Sequence, residues 1–176
     1  VGTLKDPDAA LVEEARRRNE RAMEQLYRRH APAIHAYALR STRSEDTAEE
    51  VVQETFVRAF RSLSRFEGRS TFRTWLFSIA VRRTRTAMKK RPATEVLEDV
   101  PVADASPPST PWLRRRLSRA LGQLPQGYRE VVVMHDVLGM GHDEIASARR
   151  CSVGTSKSQL HKARARLRSL LGGRDD

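Results

Sequence analysis

Phe72, Trp75 and Phe77 fall within six positions of the chain, which then runs on into Arg82, Arg83 and Arg85 and closes on Lys89-Lys90-Arg91. Aromatic faces accept unstacked bases at about 1–3 kcal/mol each, while Lys and Arg follow the phosphates. Opening a duplex calls for both kinds of group, because bases must be held once they leave the stack. From Arg65 to Arg91 there are nine basic residues and one acid, Glu67. Helical spacing qualifies the aromatic part. Phe72, Trp75, Ile79 and Met88 make a stripe flanked by Leu76 and Ala80, so the rings equally suit a packed core with only the arginines on nucleic acid.

Just upstream the sign reverses: Glu45, Asp46, Glu49, Glu50 and Glu54 fall within ten residues. Such a face repels phosphate. Glu50, Gln53, Glu54 and Arg58 recur every three or four residues, apart from the Val52/Phe56 side. Acids suit a helix start, and they equally suit docking against a basic protein surface.

A third constellation lies near the end of the chain. Ser152 suits the N-cap of a long basic helix with Thr155, Lys157, Ser158, Lys162, Arg164, Arg166 and Arg168 on its polar side. Val153, Leu160, Ala163, Leu167 and Leu170 make its packing side. With the short "GHDEIASAR" before it, this reads as a helix-turn-helix. The plain alternative is a charged surface helix that enters no groove.

The chemistry of catalysis is not visible. His135, His142 and Cys151 are too scattered for a zinc pattern. No Gly-rich phosphate loop and no Ser/His/Asp order stands out, so neither enzyme activity, cofactor nor metal is expected. One cysteine among 176 residues excludes an intrachain disulfide and fits a reducing cytoplasm. A net charge of +11 favours nucleic acid first, an anionic membrane surface second, or simply a basic surface. No apolar run approaches the roughly 18 residues of a membrane span, and "VGTLKDPDAA" lacks the pattern of a secretory signal, so a cytoplasmic protein is expected.

These groups must be carried by helices, since no segment alternates with period two. "DAALVEEARRRNERAMEQLYRRH" predicts two short helices broken near Asn19, and Pro32 suits the first turn of another. Asp46 is a plausible N-cap for the helix bearing Val51, Val52, Thr55, Phe56, Ala59, Phe60 and Leu63. Ser70 or Thr71 caps the arginine-rich helix. Trp112, Leu113, Leu117, Leu121 and Leu124 form one face of a further helix, and Pro125 opens the next, which ends at Gly139. Residues 92–111 hold five prolines, four acids and no Lys or Arg, between blocks of net +8 and +7. That segment reads as a flexible linker. The expectation is an all-α chain of two small helical domains, 1–91 and 112–176, joined by it.

"EEVVQETFVRAFRSLSRFEGRSTFRTWLFSIAVRR" resembles conserved region 2 of an extracytoplasmic-function sigma factor of the sigma-70 family. "LPQGYREVVVMHDVLGMGHDEIASARRCSVGTSKSQLHKARARLRSLL" resembles region 4 of the same group. The resemblance implies a transcription initiation factor with no catalytic residues. It implies binding to core RNA polymerase, through its clamp coiled coil and flap, to promoter DNA, and to an anti-sigma factor. The loop at Arg69, Ser70, Thr71 and Phe72 would receive a flipped −10 base. Trp75 would support it, and Arg73, Arg82, Arg83 and Arg85 would hold the opened strand. Thr155, Lys157, Ser158, His161, Lys162 and Arg164 would meet the −35 element. Glu49, Glu50, Gln53, Glu54 and Arg58 would meet the clamp.

Three departures stand out. Arg82 occupies a position where relatives commonly carry Asn, which exchanges an amide for a donor-only fork. Arg149-Arg150 replaces a Leu-Gly pair, so Arg150 must take a left-handed conformation at a cost. Ser156 replaces an apolar residue, which implies a lost core contact and a looser turn. If the domains clasp each other, both DNA faces are expected to be buried. A stand-alone helix-turn-helix regulator is the second reading, although it leaves the acidic helix unexplained and lacks a dimerisation element.

Overall fold

A computed structural model describes residues 6–90 and 111–172. The expected linker, 92–111, lies outside the described residues except for Pro111, which starts a helix. The described residues are all-helical, without a strand. Helices α1 (Ala9–Arg16), α2 (Glu20–Thr42), α3 (Glu45–Ser62) and α4 (Phe72–Lys90) form the first module. Helices α5 (Pro111–Gly122), α6 (Gln126–Val132), α7 (His142–Arg149) and α8 (Val153–Gly172) form the second.

Local chemistry explains most boundaries. Asn19 breaks α1 from α2, its side chain accepting from Arg21 N (3.0 Å) and Ala22 N (3.3 Å). The expected break at Pro32 does not occur, for α2 runs through it to Thr42. An interior proline leaves the Arg28 carbonyl without its helical donor, a cost of about 3 kcal/mol. Continuous burial of Leu26, His30, Ala31, Ile34 and Tyr37 on one side of α2 offsets it. The N-cap of α3 is Ser44 and not Asp46: Arg43 closes α2 in the left-handed region (φ 56°), and extended Ser44 accepts from Thr47 N at 3.3 Å. Asp46 instead sits in the first turn of α3, where a carboxylate is favoured.

Thr71 caps α4, accepting from Thr74 N at 3.2 Å, and Asp6 accepts from Phe72 N at 2.7 Å. The buried side of α4 is Phe72, Leu76, Phe77, Ala80, Val81 and Thr84, rotated from the stripe through Trp75, Ile79 and Met88, which are only half-buried. The reason is that α4 packs against α2, α3 and α7 together, so no single partner defines its apolar face. Trp112 and Leu113 also depart from expectation. They are exposed at the start of α5, while Ser118, Ala120, Leu121 and Leu124 make the contacts. After α6 the helix widens into one π-helical turn, Val133–Val137, and Gly139 ends it at φ 65°.

The two modules are packed together. Buried side chains of α1–α4 and of α6–α8 belong to one continuous cluster. Arg73 donates to the Leu138 carbonyl, Thr74 Oγ1 to Glu144 Oε1 (3.1 Å), and Arg129 Nη1 to the Ser41 carbonyl (2.9 Å).

Candidate nucleic-acid interface

The arginines of α4 do not share one environment. Arg83 Nη1 donates to Glu54 Oε2 at 3.1 Å. Arg85 reaches Glu130 of α6 twice, Nε to Oε1 at 2.9 Å and Nη2 to Oε2 at 2.6 Å. With Arg73 held by Leu138, three of the four arginines expected to hold an opened strand are engaged inside the molecule. Arg82 is exposed and makes no ion pair among the described residues. In the loop before α4, Gly68 adopts φ 69° and Arg69 projects into solvent beside Glu67 (2.5 Å). Ser70 and Thr71 are half-buried. Phe72 is 0% exposed, so its ring is a support under that loop and touches no base in this form. Trp75 leans on the Phe66 ring at 5.0 Å and on Phe72 at 5.9 Å, half-buried.

Glu130 organises the contact between modules. It is 1% exposed and takes Arg85 from α4, Arg149 Nε from α7 (2.9 Å) and Gln126 Nε2 (3.0 Å). Burial pushes its pKa up, but the two guanidiniums outweigh burial and hold the carboxyl below its ordinary range. Arg149 also donates to Gln159 Oε1 at 2.7 Å. The first arginine of the unusual pair is therefore a buried tie among α6, α7 and α8. The second, Arg150, takes the left-handed conformation (φ 55°) that its position demands.

The turn itself is closed and not loose. Ser152 Oγ accepts from Thr155 N at 3.0 Å. Ser156 is fully buried, its Oγ hydrogen-bonded with His142 Nδ1 at 2.9 Å, which replaces the lost apolar contact with a polar one. On α8, Leu160 and Ala163 face inward, and Lys157, Ser158, His161 and Lys162 are exposed. Thr155 Oγ1 is tied to Ser152 Oγ (2.8 Å), and Arg164 makes a two-pronged pair with Asp136 (3.1 and 2.5 Å). Packing of the modules engages Arg73 and Arg85 of α4 but leaves Arg82 exposed, so neither expected face is buried whole. The contact is made through α5, α6, the π-helical turn and α7, so the outer side of α8 stays open.

On α3, Glu49, Glu50, Gln53 and Arg58 are exposed, and Glu54 is drawn toward Arg83 and Arg58 (3.8 Å). Exposed Val57 lies among them, an apolar neighbour that charge spacing did not reveal. Two further residues carry roles set by distant partners. Arg129 donates to the Leu121, Gly122 and Leu124 carbonyls at 2.8, 2.8 and 2.9 Å, so it caps α5 and ties it to α2. Glu130 stands immediately before the apolar run "VVVM" (Val131–Met134) and is buried with it, and an acid so placed requires a charged or hydrogen-bonding partner. Among the described residues no group of three His, Cys, Asp or Glu side chains is placed to hold a metal, and no helix is long and apolar enough to cross a membrane.

Residues 26–93 match Sigma-70 region 2, and residues 114–167 match Sigma-70, region 4. The RNA polymerase sigma factor CarQ of Myxococcus xanthus is 36% identical over 86% of this chain and 90% of its own length. The RNA polymerase sigma factor CnrH of Cupriavidus metallidurans is 34% identical, over 94% of this chain and 95% of its own. The solved structure of CnrH in complex with the cytosolic domain of CnrY superposes with a TM-score of 0.77 at 32% identity, covering 95% of this chain and 98% of that one. The sigma factor RpoE of Bartonella quintana, in complex with the anti-sigma factor NepR, gives 0.71 at 28% identity, covering 85% and 96%.

Proposed function

Because the chain belongs to the sigma-70 family, among its extracytoplasmic-function factors, we propose a division of labour in which α3 docks on the polymerase, α4 and its preceding loop hold the −10 element, and α8 reads the −35 element. The protein is a promoter-directing sigma factor that catalyses no reaction itself. Its place of action is the cytoplasm, with core RNA polymerase. Residues 1–91 carry the first two tasks and 112–176 the third.

The single observation that supports this assignment most is the exposed side of α8. Its apolar residues pack inward while Lys157, Ser158, His161 and Lys162 line the opposite side behind a capped, tight turn. A recognition helix places its first residues on base edges and its flanking cations on phosphates. The acidic α3 face, Glu49, Glu50, Gln53, Glu54 and Arg58, is the polymerase-docking surface, with Val57 at its centre. Arg69, Ser70, Thr71 and Arg82 meet the −10 element first, and Phe72 and Trp75 brace the loop. Arg73 and Arg85 join only after Leu138 and Glu130 of the second module release them, while Arg83 is tied to Glu54 of its own module.

The packed arrangement is thus a resting form that masks the −10 side. RpoE of Bartonella quintana is solved with an anti-sigma factor, and a partner of that kind keeps this chain at rest too. The test is reconstituted transcription with core RNA polymerase and this chain on promoter templates. Initiation that depends on the added chain and fails with Lys157→Ala supports the assignment. Duplex binding without any affinity for polymerase favours a stand-alone regulator.

A further inference from the structure

Where α4 meets the end of α7, the modules leave a cleft of about 330 Å³ lined by Arg82, Arg85, Lys89, Arg149 and Arg150. Arg85 and Arg149 share Glu130. Arg82, Lys89 and Arg150 are exposed and make no ion pair among the described residues. Packing the modules therefore sets cations of α4 against cations of the α7 end, and one carboxylate offsets only two of the five. At the end of α7 the carbonyls of Ala146 and Ser147 are capped by Cys151 N and Arg150 N (3.0 and 3.3 Å), so two of its last carbonyls are already satisfied by the main chain.

We propose that this cleft binds a small polyphosphate, the di- or triphosphate group either free or as the tail of a nucleotide, which bridges α4 to the α7–α8 turn. Guanidinium forks match phosphate oxygens two at a time, and the lysine adds a compact charge. Arg82 and Lys89 are seven residues apart, about 10 Å along the helix axis at 1.5 Å per residue. A linked chain of phosphates spans that separation, whereas orthophosphate meets one end of it. A bound polyphosphate adds contacts that exist only when the modules are packed, so it favours the resting form. The site stands on the packed geometry and not on the promoter-directing assignment.

Isothermal titration of the full chain tests it, with sodium tripolyphosphate, ATP and orthophosphate as probes at matched ionic strength. Tripolyphosphate is expected to bind one to one, and orthophosphate roughly tenfold more weakly or less. Equal affinities for ATP and tripolyphosphate identify the phosphate chain alone as the ligand, and a tighter ATP identifies a nucleotide. Two variants locate the site. Arg150→Gly removes a cation where glycine adopts the required φ readily, so the fold is kept. Lys89→Gln removes one from an exposed position near the end of α4. Each is expected to weaken tripolyphosphate binding roughly tenfold. Affinity unchanged in both variants, no binding, or binding that orthophosphate matches would overturn the proposal, whatever the outcome of transcription assays.

Discussion

Arg85 grips Glu130 through two nitrogens, at 2.9 and 2.6 Å, and so joins a helix of the region 2 module to the interior of the region 4 module. Removing the carboxylate leaves Arg149 buried without its main partner. Breaking a buried pair in this way costs about 3–5 kcal/mol. Glu130→Ala is therefore expected to shift the urea midpoint strongly downward. Glu130→Gln, which keeps the shape and one acceptor, is expected to lose less. Equal stability of wild type and Glu130→Ala contradicts the buried tie.

The same carboxyl makes the packing acid-sensitive. Its folded pKa lies below the ordinary value, so its contribution is fully present above about pH 4.3, the usual Glu pKa. That contribution is lost as pH falls through the depressed folded value. The melting temperature of the wild type is expected to drop more steeply below that range than that of Glu130→Gln. Parallel curves would show that Glu130 is not held ionised by the arginines.

Charge reversal on α3 separates polymerase docking from DNA contact. Glu54→Lys places a cation beside Arg58 and Arg83 and opposite any basic partner. Affinity for core RNA polymerase is expected to fall roughly tenfold or more, since like charges across an interface cost several kcal/mol. Duplex DNA affinity, read by fluorescence anisotropy, should be unchanged or higher.

On α8 the free and tied cations should behave differently. Lys157→Ala is expected to cost about 1–3 kcal/mol in initiation from promoters with an intact −35 element, if it reads a base edge. Arg164 is already paired with Asp136, so Arg164→Ala should cost less. Run-off transcription on templates with and without the −35 element measures both. A larger loss for Arg164 than for Lys157 would reverse the assignment.

How much of this was legible in the sequence follows from the range of the forces involved. The break at Asn19, the Thr71 and Ser152 caps and the two-sided pattern of α8 rest on neighbours three or four residues apart, and a sequence displays those directly. Pro32 misled because its local cost is visible while the burial of Ile34 and Tyr37 that offsets it belongs to the whole bundle. The α4 stripe came out rotated for the same reason, since three helices set its buried side. In the sequence, Arg149-Arg150 shows only the cost of replacing a Leu-Gly pair. One of those arginines fills a role created by Glu130, 19 residues away, and no local pattern carries that pairing. The arginines of α4 were all visible as cations, but which of them are engaged depends on partners up to 65 residues distant.

The most direct measurement of the central claim is mapping of transcript 5′ ends, with core RNA polymerase and this chain reconstituted on genomic DNA. The account predicts new starts only when the chain is present, preceded by one shared pair of −35 and −10 elements, and lost from the −35-dependent subset with Lys157→Ala. No association with core polymerase, or a set of starts unchanged by adding the chain, would contradict it.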